Sequence, residues 1–267
     1  MKDFPLVSFI VGVYNTKKFD ELKRSVDNML GQTYPNIEVV ICDDCSTNGA
    51  YEFLKEQYGQ NSRVLILRNS KNSGAATARN HALSQAKGKY IAIQDDDDYS
   101  AETRIEKQVN FLEENLKYSF VSSGLSKFDD EGVWASIRSK AEPQKRDFRV
   151  YSQHIHAATL FRAECLQAVG GYRIAKETAR GEDYDLFMRL YANDFVGYNL
   201  SEILYYYNFK RDYSRHIKYK YKWNEAKIRF KGFHALHLSP VDYIYVVRPL
   251  IAGLIPERLK AKLKGEK

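Results

Sequence analysis

Nearly continuous apolar runs alternate with helical patterns along the first part of this chain. Residues 7–13, Val-Ser-Phe-Ile-Val-Gly-Val, are too uniformly apolar for a strand with one wet face, and they predict a central strand covered on both sides. A helical pattern follows, with apolar residues at Phe19, Leu22, Val26, Met29 and Leu30. Residues 37–42 form a second apolar run before two aspartates. This succession of strand, helix and strand predicts a layered α/β fold.

The same alternation repeats as far as residue 98. Further helices are predicted at residues 51–58 and 74–86, and further strands at residues 64–67 and 90–93. Repeated βαβ units of this length predict a mostly parallel, Rossmann-like sheet with helices on both faces. Beyond residue 116 the pattern weakens, and a strand-like segment is visible only near residues 157–161.

The composition is that of a globular protein from a reducing compartment. With 267 residues and 44% hydrophobic content, the chain can bury one sizeable core and a smaller appended element. Its first residues lack the basic start, apolar run and cleavage site of a secretory signal, which favours a cytoplasmic location. The three cysteines are an odd number, and Cys42 and Cys45 have no second pair at zinc spacing. We therefore expect these two cysteines to pack at the end of a strand.

Basic residues concentrate toward the C-terminal end. The net charge is +7, and residues 205–267 hold 15 Lys and Arg against 5 Asp and Glu. A local excess of this kind suits an anionic partner such as a membrane surface or nucleic acid. No nucleic-acid-binding motif is visible, so the membrane surface is favoured and no nucleic acid is expected.

In a parallel sheet, ligands bind where the strands end at their carboxyl edge. Three loops fall there: Tyr14-Asn15 after the first strand, Asp43-Asp44 after the second, and Asp95-Asp96-Asp97-Asp98 after the fourth. Adjacent carboxylates repel one another unless a cation lies among them, and carboxylate oxygens suit Mg²⁺ or Mn²⁺. A solvated charge run is the alternative interpretation, but the position at the binding edge favours a metal site.

A second acidic cluster opens a predicted helix. Glu182, Asp183 and Asp185 precede apolar residues at helical spacing. Helix capping is one explanation, because the helix dipole favours negative charge at this end. It accounts for one acid more readily than for three, and a carboxylate that faces a reacting centre can act as a general base toward a substrate hydroxyl.

Five segments of the chain form a wider pattern. They are residues 7–15; residues 32–46, which include Gln32-Thr33-Tyr34-Pro35 and Asp43-Asp44; residues 72–80; Gln94-Asp95-Asp96-Asp97-Asp98; and residues 170–186, from Gly170-Gly171-Tyr172 to Gly181-Glu182-Asp183. Together they resemble the inverting glycosyltransferases of family 2, in the family's order and at near-family spacing. The resemblance covers about residues 5–210 and implies the GT-A fold of enzymes that build bacterial capsular or cell-surface polysaccharides.

The resemblance implies a role for each matched residue. The nucleotide-sugar-binding set would be Gly12, Val13, Tyr14, Asp44, Arg79, Asp95 and Asp96. Asp97, with Asp95, would hold a Mn²⁺ or Mg²⁺ ion that bridges the two phosphates, and Asp183 would be the catalytic base. The implied reaction moves a sugar from a nucleoside diphosphate donor, most simply a UDP-sugar, to an acceptor hydroxyl with inversion.

Three departures from the family pattern concern the donor site. Gly12-Val13 replaces the usual Pro-Thr, which removes a hydroxyl near the base. The usual Asp-Gly-Ser-Thr-Asp turn is replaced by residues 44–48, Asp-Cys-Ser-Thr-Asn. Asp96 replaces a small neutral residue between two acids, which leaves open which pair of acids holds the metal.

Other polar residues are candidates for acceptor or phosphate contacts: His156, Glu182, Arg211, Arg215 and His216. The pair His154 and His156 supplies too few ligands for a metal site alone, so acceptor contacts or packing are favoured. The resemblance places residues 211–216 where related enzymes close a loop over the diphosphate.

The C-terminal residues form a basic, aromatic-rich tail. Residues 243–255 are mostly apolar but too short to span a bilayer. We expect residues 1–215 to form the catalytic domain, with a nucleotide-sugar half (1–115) and an acceptor half (116–215). Residues 216–267 would form a helical element that associates with an anionic membrane surface, at the inner face of the plasma membrane. Packing of this tail on the catalytic domain is the alternative.

Two other functions are open from the sequence. A nucleotidyltransferase that makes sugar nucleotides would need a Gly-rich, Arg-containing loop directly after the first strand, where Tyr14-Asn15 stands instead. A non-catalytic nucleotide-sugar or glycan-binding module would leave Asp183 unexplained beside a complete D-x-D. The pattern therefore favours a metal-dependent glycosyltransferase with a glycan or lipid-linked acceptor.

Overall fold

The computed structural model describes residues 4–210 and 218–254. Its first seven elements are β1 Val7–Val13, α1 Phe19–Leu30, β2 Ile37–Asp43, α2 Ala50–Tyr58, β3 Val64–Arg68, α3 Ala75–Gln85 and β4 Tyr90–Ile93. Each follows an element predicted from the sequence, within one residue at either end. The hydrophobic periodicity of this half therefore predicts its structure well.

Strands β3, β2, β1 and β4 lie side by side in that order and are all parallel. Strand β1 is buried on both faces, as its uninterrupted apolar sequence predicts. Phe9 and Val11 belong to a core shared with α1, whereas Ile10 belongs to a second core shared with α3. The carboxyl ends of β1, β2 and β4 consequently meet at one edge of the sheet.

The second half extends the same sheet with strands of both directions. Its elements are β5 Tyr99–Ser100, α4 Arg104–Glu114, β6 Phe120–Asp129, β7 Gly132–Ile137, β8 Leu160–Arg162, α5 Ala163–Ala168, α6 Glu182–Ala192 and β9 Gly197–Asn208, with 3₁₀ turns at Lys145–Arg149, His156–Ala158 and Lys176–Thr178. The strand order continues from β4 through β8, β6 and β9 to β5, and β7 pairs with β6. Strands β6 and β9 are parallel, whereas β8 is antiparallel to β4 and β6. The parallel sheet predicted for the first half is thus joined to a mixed second half.

Strand β9 brings the C-terminal part of the domain back to the acidic loop. It runs beside β6 from Gly197 onward, and a Cβ at that glycine would lie only 2.0 Å from the Phe120 ring. Its far end pairs with β5, which directly follows the four aspartates. The end of β9 and the carboxyl end of β4 therefore lie together.

The described part of the tail packs on the domain. It comprises α7 Tyr219–Ala235, a 3₁₀ turn Pro240–Val246 and α8 Arg248–Leu254. Ile228 and Phe233 of α7 are buried in the core shared with α6. Asp242 is buried and accepts hydrogen bonds from Arg149 at 2.8 Å and Arg146 at 3.1 Å. The packing alternative is thus observed for this segment, and within the described residues no helix has the length and apolar character needed to cross a membrane.

Candidate active site

The ends of β1 and β2 are joined by hydrogen bonds into one wall of the site. The Asp44 amide donates to the Val13 carbonyl at 2.8 Å, and the Asn15 amide donates to the Ser46 hydroxyl at 2.9 Å. Val13 is buried, whereas Tyr14 is 49% exposed. Gly12 lies against α3, where a Cβ would approach Ala78 to 3.4 Å. The strand ends named from the sequence therefore form a continuous surface.

Asp44 caps helix α3. Its carboxylate accepts hydrogen bonds from the Gly74 amide at 2.7 Å, the Ser73 amide at 3.0 Å and the Asn69 side chain at 2.7 Å. An anionic side chain at a helix N-terminus is stabilised by the unpaired amides and the helix dipole. Asp44 is only 2% exposed, so its carboxylate also fixes the loop between β3 and α3 beside the site.

Arg79 of α3 links the two acidic clusters. Its guanidinium donates to Asp95 at 2.9 Å and to Glu182 at 3.0 Å, although Glu182 lies 103 residues away in sequence. Burial opposes the charged form of Arg79, but Asp95, Tyr172 and Glu182 outweigh it and keep the pKa of Arg79 above its ordinary value. The Arg79 side chain thus binds both the loop after β4 and the start of α6.

The four aspartates after β4 have four different environments. Asp95 pairs with Arg79, and Asp96 accepts a hydrogen bond from the Thr16 hydroxyl. Asp98 is fully buried and accepts from the Tyr205 hydroxyl at 2.7 Å. Within the described part of the chain, no side chain hydrogen-bonds the carboxylate of Asp97, which lines a pocket with Tyr14 and Asp96.

Burial and mutual repulsion disfavour the charged forms of these acids. Burial is the main cause that raises the pKa of Asp96 to about 6. Burial, followed by the charges of Asp96 and Asp95, raises the pKa of Asp97 to about 7. A divalent cation beside Asp97 would relieve this repulsion.

The donor set fits a hard divalent ion that is completed by its substrate. Among the described residues, no three His, Cys, Asp or Glu side chains converge into a preformed metal cage. Mg²⁺ and similar ions are commonly held by one or two carboxylates together with substrate phosphates and waters. Asp97 offers such a carboxylate, whereas Asp95 is engaged by Arg79.

Asp183 lies in the first turn of α6 and faces a central pocket. This pocket, of about 370 Å³, is lined by Arg79, Asp95, Leu125, His154, Ile155, His156, Ala157, Arg180, Glu182, Asp183, Tyr205 and Tyr207. The Asp183 carboxylate accepts a hydrogen bond from the Tyr184 amide at 2.7 Å. Burial is the main cause that raises its pKa, with a further contribution from Glu182. A carboxylate with a raised pKa is a stronger base once it is ionised.

Comparison with known proteins decides the family. The model of glycosyl transferase family 2 matches residues 8–170 of this chain. The chain belongs to glycosyltransferase family 2. EpsE of Bacillus subtilis is 35% identical over 257 residues, which cover 96% of this chain and 92% of EpsE. The Escherichia coli enzyme WfaP, named UDP-Glc:alpha-D-GlcNAc-diphosphoundecaprenol beta-1,3-glucosyltransferase, is 30% identical over 92% of this chain and 94% of its own length.

Solved glycosyltransferases share the fold. TarS 1–349 of S. aureus, solved in complex with UDP-GlcNAc, superposes with a TM-score of 0.69 at 20% identity and covers 93% of this chain and 71% of that one. In a longer TarS structure from S. aureus, the match covers 43% of that chain. The mannosyltransferase PcManGT of Pyrobaculum calidifontis, in complex with GDP-Man and Mn²⁺, gives a TM-score of 0.63 at 19% identity over 99% of this chain and 80% of that one. The predicted GT-A fold is confirmed.

The two candidate histidines, His154 and His156, are buried in this glycosyltransferase. His154 contacts Asn199 at 2.8 Å and Tyr191 at 3.0 Å, and His156 contacts the Tyr172 hydroxyl at 2.8 Å. Burial lowers the pKa of each histidine to about 3. Both ring nitrogens of His154 are therefore engaged in hydrogen bonds, and both histidines line the central pocket.

Several supporting residues of the glycosyltransferase carry no signal in the sequence. The Tyr205 hydroxyl accepts a hydrogen bond from the Asp95 amide at 3.1 Å and donates to Asp98, so it ties the acidic loop to β9. The Asn208 amide donates to Asp98 at 2.7 Å. Arg104 is fully buried and donates to the Ile93 carbonyl at the end of β4 at 2.9 Å. These residues come together only because β9 returns to the end of β4 in the folded sheet, which the sequence does not show.

Three candidate residues, Arg211, Arg215 and His216, lie outside the described residues. The remaining candidate, Glu182, is half-buried in its pair with Arg79. Cys42 is buried at the end of β2 as expected, and burial raises the pKa of its thiol to about 12. Cys45 is half-buried with φ of 62°, in the turn after β2.

Proposed function

We propose that this chain transfers a sugar from a UDP-sugar to a hydroxyl of a glycan or lipid-linked oligosaccharide, with inversion at the anomeric carbon. The observation that carries the proposal is the central pocket, in which Asp183 lines the same cavity as the Arg79 and Asp95 pair. The Arg79 bridge joins the nucleotide-side loop to the helix that carries Asp183. Donor and acceptor groups would meet in this pocket.

In the proposed reaction, Asp183 accepts the proton of the attacking acceptor hydroxyl. The acceptor oxygen forms a bond to the anomeric carbon while the bond from that carbon to the diphosphate breaks, and UDP leaves with the bonding electrons. The raised pKa of Asp183 brings its basicity closer to neutral pH, where general-base catalysis is most effective. Asp183 afterwards releases its proton to solvent and is ready for another cycle.

The nucleotide would lie along the wall formed by Gly12, Val13, Tyr14 and Asp44, with Arg79 and the first acids beside the ribose and diphosphate. Asp97 would hold Mn²⁺ or Mg²⁺, with Asp96 or Asp95 nearby. When bound, such an ion supplies positive charge to the leaving diphosphate. Because substrate phosphates complete the coordination, we expect metal and UDP to bind cooperatively.

A thermal-shift experiment tests this assignment. UDP or UDP-sugars together with Mn²⁺ should raise the melting temperature by several degrees, because saturating a site to about 100 times its Kd contributes about 2.7 kcal/mol. Asp97→Ala should lose the metal-dependent part of this shift and should melt no earlier than the wild type without ligand. A metal-dependent shift that survives in Asp97→Ala contradicts the metal assignment. No stabilisation of the wild type by any nucleotide sugar contradicts the proposed function.

We further propose that the tail rests on an anionic membrane surface. Five of its apolar side chains are exposed: Val241, Ile244, Val247, Ile251 and Leu254. Their spacing of three or four residues places them on one side of the 3₁₀ turn and α8. This apolar stripe lies within the region that holds 15 basic against 5 acidic residues. Apolar insertion and electrostatic attraction together are the two signals that peripheral membrane binding needs.

A further inference from the structure

A groove lies between residues 179–183 and helix α7, and none of the four aspartates of the acidic loop lines it. We call it the tail groove; its volume is about 310 Å³, and its walls include Arg180 and Asp183 on one side and Tyr221 and Lys222 on the other. Arg180 and Asp183 also line the central pocket. The two cavities therefore share the carboxylate proposed as the base.

The stereochemistry of an inverting transfer limits where the acceptor can lie relative to Asp183. In an inverting transfer, the acceptor reaches the anomeric carbon from the face opposite the leaving diphosphate. The donor diphosphate would lie beside Asp97, at the carboxyl edge of the sheet. The tail groove offers the acceptor a route to Asp183 that the acidic loop does not line, because Asp183 borders both cavities whereas Asp95 borders only the central pocket.

Two cations in the tail groove are available to an anionic ligand. Glu225, which also lines the groove, pairs with the buried Arg229 at 2.9 Å and, over a longer distance of 3.9 Å, with the Lys222 ammonium. Arg180 lies over the Tyr221 ring at 5.2 Å and is paired with no carboxylate of the described residues. Within the described residues, Arg180 thus faces the groove without a carboxylate partner, and Lys222 has only the long ion pair with Glu225.

The backbone at Arg180 supports a ligand-binding role independently of charge. Its φ is 63°, in the left-handed region that residues with long side chains rarely adopt. Such conformations persist where the surrounding structure holds them, and they cluster at ligand-binding positions. The next residue, Gly181, lies so close to α7 that a Cβ would approach Ile228 to 2.7 Å. The loop that presents Arg180 is therefore pressed against α7.

We propose that the tail groove binds the diphosphate of a lipid-linked acceptor, with Arg180 and Lys222 as its ligands and the acceptor sugar reaching Asp183. This inference rests on the proposed glycosyl transfer for the role of Asp183. An arginine fork and a nearby ammonium are the donors that suit a diphosphate. Helix α7, which forms one wall, continues into the segment that carries the apolar stripe, so the lipid chain would have an apolar surface within the same tail.

Direct binding tests the proposal without any need for turnover. Farnesyl diphosphate and farnesol are titrated into the full chain in the presence of saturating UDP and Mn²⁺, which occupy the donor site. The wild type should bind farnesyl diphosphate more tightly than farnesol. Arg180→Ala and Lys222→Ala should each weaken farnesyl diphosphate binding by about tenfold, because each removes a charge-assisted contact, and should leave farnesol binding unchanged.

Matched variants separate the groove from general charge and from misfolding. Lys227→Ala removes an exposed lysine of the same helix that does not line the groove, and it should bind like the wild type. Lys222→Arg should retain most of the affinity. UDP affinity should be the same in the Lys222 and Lys227 variants, since neither residue lines the central pocket or the pocket at Asp97.

The binding results can refute the tail groove and the proposed glycosyl transfer separately. Farnesyl diphosphate binding that UDP displaces, or that is unaffected in both alanine variants, overturns the acceptor groove. A wild type that does not bind farnesyl diphosphate overturns it as well. If the chain binds farnesyl diphosphate specifically but binds no nucleotide sugar, the proposed transfer is contradicted, whereas the diphosphate site in the groove is supported.

Discussion

At the scale of single residues, His154 and His156 make the stability of the fold depend on pH. Both are buried, and burial lowers the pKa of each from 6.5 to about 3. Between these two values the unfolded chain binds protons that the folded chain does not, so stability falls as pH falls below 6.5. Each histidine should therefore cost up to about 2 kcal/mol of unfolding free energy between pH 7 and pH 5.

Urea unfolding of the wild type and of His154→Gln at these two pH values measures this effect. In His154→Gln, the histidine-dependent fall in unfolding free energy between pH 7 and pH 5 should be about half of that in the wild type, whatever the absolute stability of the variant. An equal pH dependence in both proteins would mean that His154 is protonated in the folded state. His156→Gln offers a parallel check at the wall of the central pocket.

The role of a single residue in the site could be predicted from the sequence only where residues adjacent in the chain also lie together in the site. The aspartates after β4 are adjacent in the chain, and their position at the strand end was visible from the apolar run before them. The pairing of Arg79 with Glu182 was not, because it joins residues 103 positions apart. Nor could the sequence show that Asp98 is a buried support whereas Asp97 faces a pocket.

At the scale of elements, β9 supports the acidic loop through Tyr205. Tyr205→Phe removes a hydroxyl that contacts both the Asp95 amide and the Asp98 carboxylate. We expect a loss of about 1–2 kcal/mol in unfolding free energy, because a buried hydrogen-bonding group loses its partner. Metal-dependent UDP binding should weaken as well, since Asp97 lies within the same loop.

The adjacent Tyr206 offers the control for this prediction. Its ring stacks on Tyr99 at 4.6 Å, and Tyr206→Phe keeps that ring. Calorimetric titration of UDP with Mn²⁺ should therefore show normal binding in Tyr206→Phe and weaker binding in Tyr205→Phe. Equal UDP affinities in the two variants would show that the Tyr205 hydroxyl of β9 does not support the UDP site.

The elements of the first half were predictable because their pattern is local. Each strand from β1 to β4 is an apolar run, α1 has a marked helical period, and α3 is rich in alanine. Strands β6, β7 and β9 escaped prediction because polar residues interrupt them and their partners lie far away in sequence. Gly124 of β6, for example, pairs with Ile203 of β9. Such pairings depend on the closure of the sheet rather than on local periodicity.

At the scale of the whole molecule, the tail combines packing on the domain with an exposed apolar stripe. Ile244→Asp together with Ile251→Asp should strongly reduce sedimentation with anionic liposomes, because two charges enter the side that is proposed to contact the membrane. Raising the salt concentration should release part of the wild type, since electrostatic attraction is screened whereas apolar insertion is not. UDP binding should be unchanged in the double variant.

Val133→Asp is the matched control, since Val133 is 57% exposed on β7, away from the tail. It should sediment like the wild type. Equal liposome binding by the double variant and this control would exclude the apolar stripe as the membrane contact. Removal of the tail at residue 231 is a poorer test, because Phe233 and Leu236 belong to the buried core.

The central claim is that Asp183 accepts the proton during transfer to the acceptor, and Asp183→Asn tests it most directly. The substitution keeps the shape of the side chain and its contact with the Tyr184 amide but removes proton acceptance. With the UDP-sugar that the wild type uses, transfer should fall by about 10²-fold or more while UDP-sugar affinity stays the same. Transfer by Asp183→Asn at a rate near that of the wild type would contradict this account.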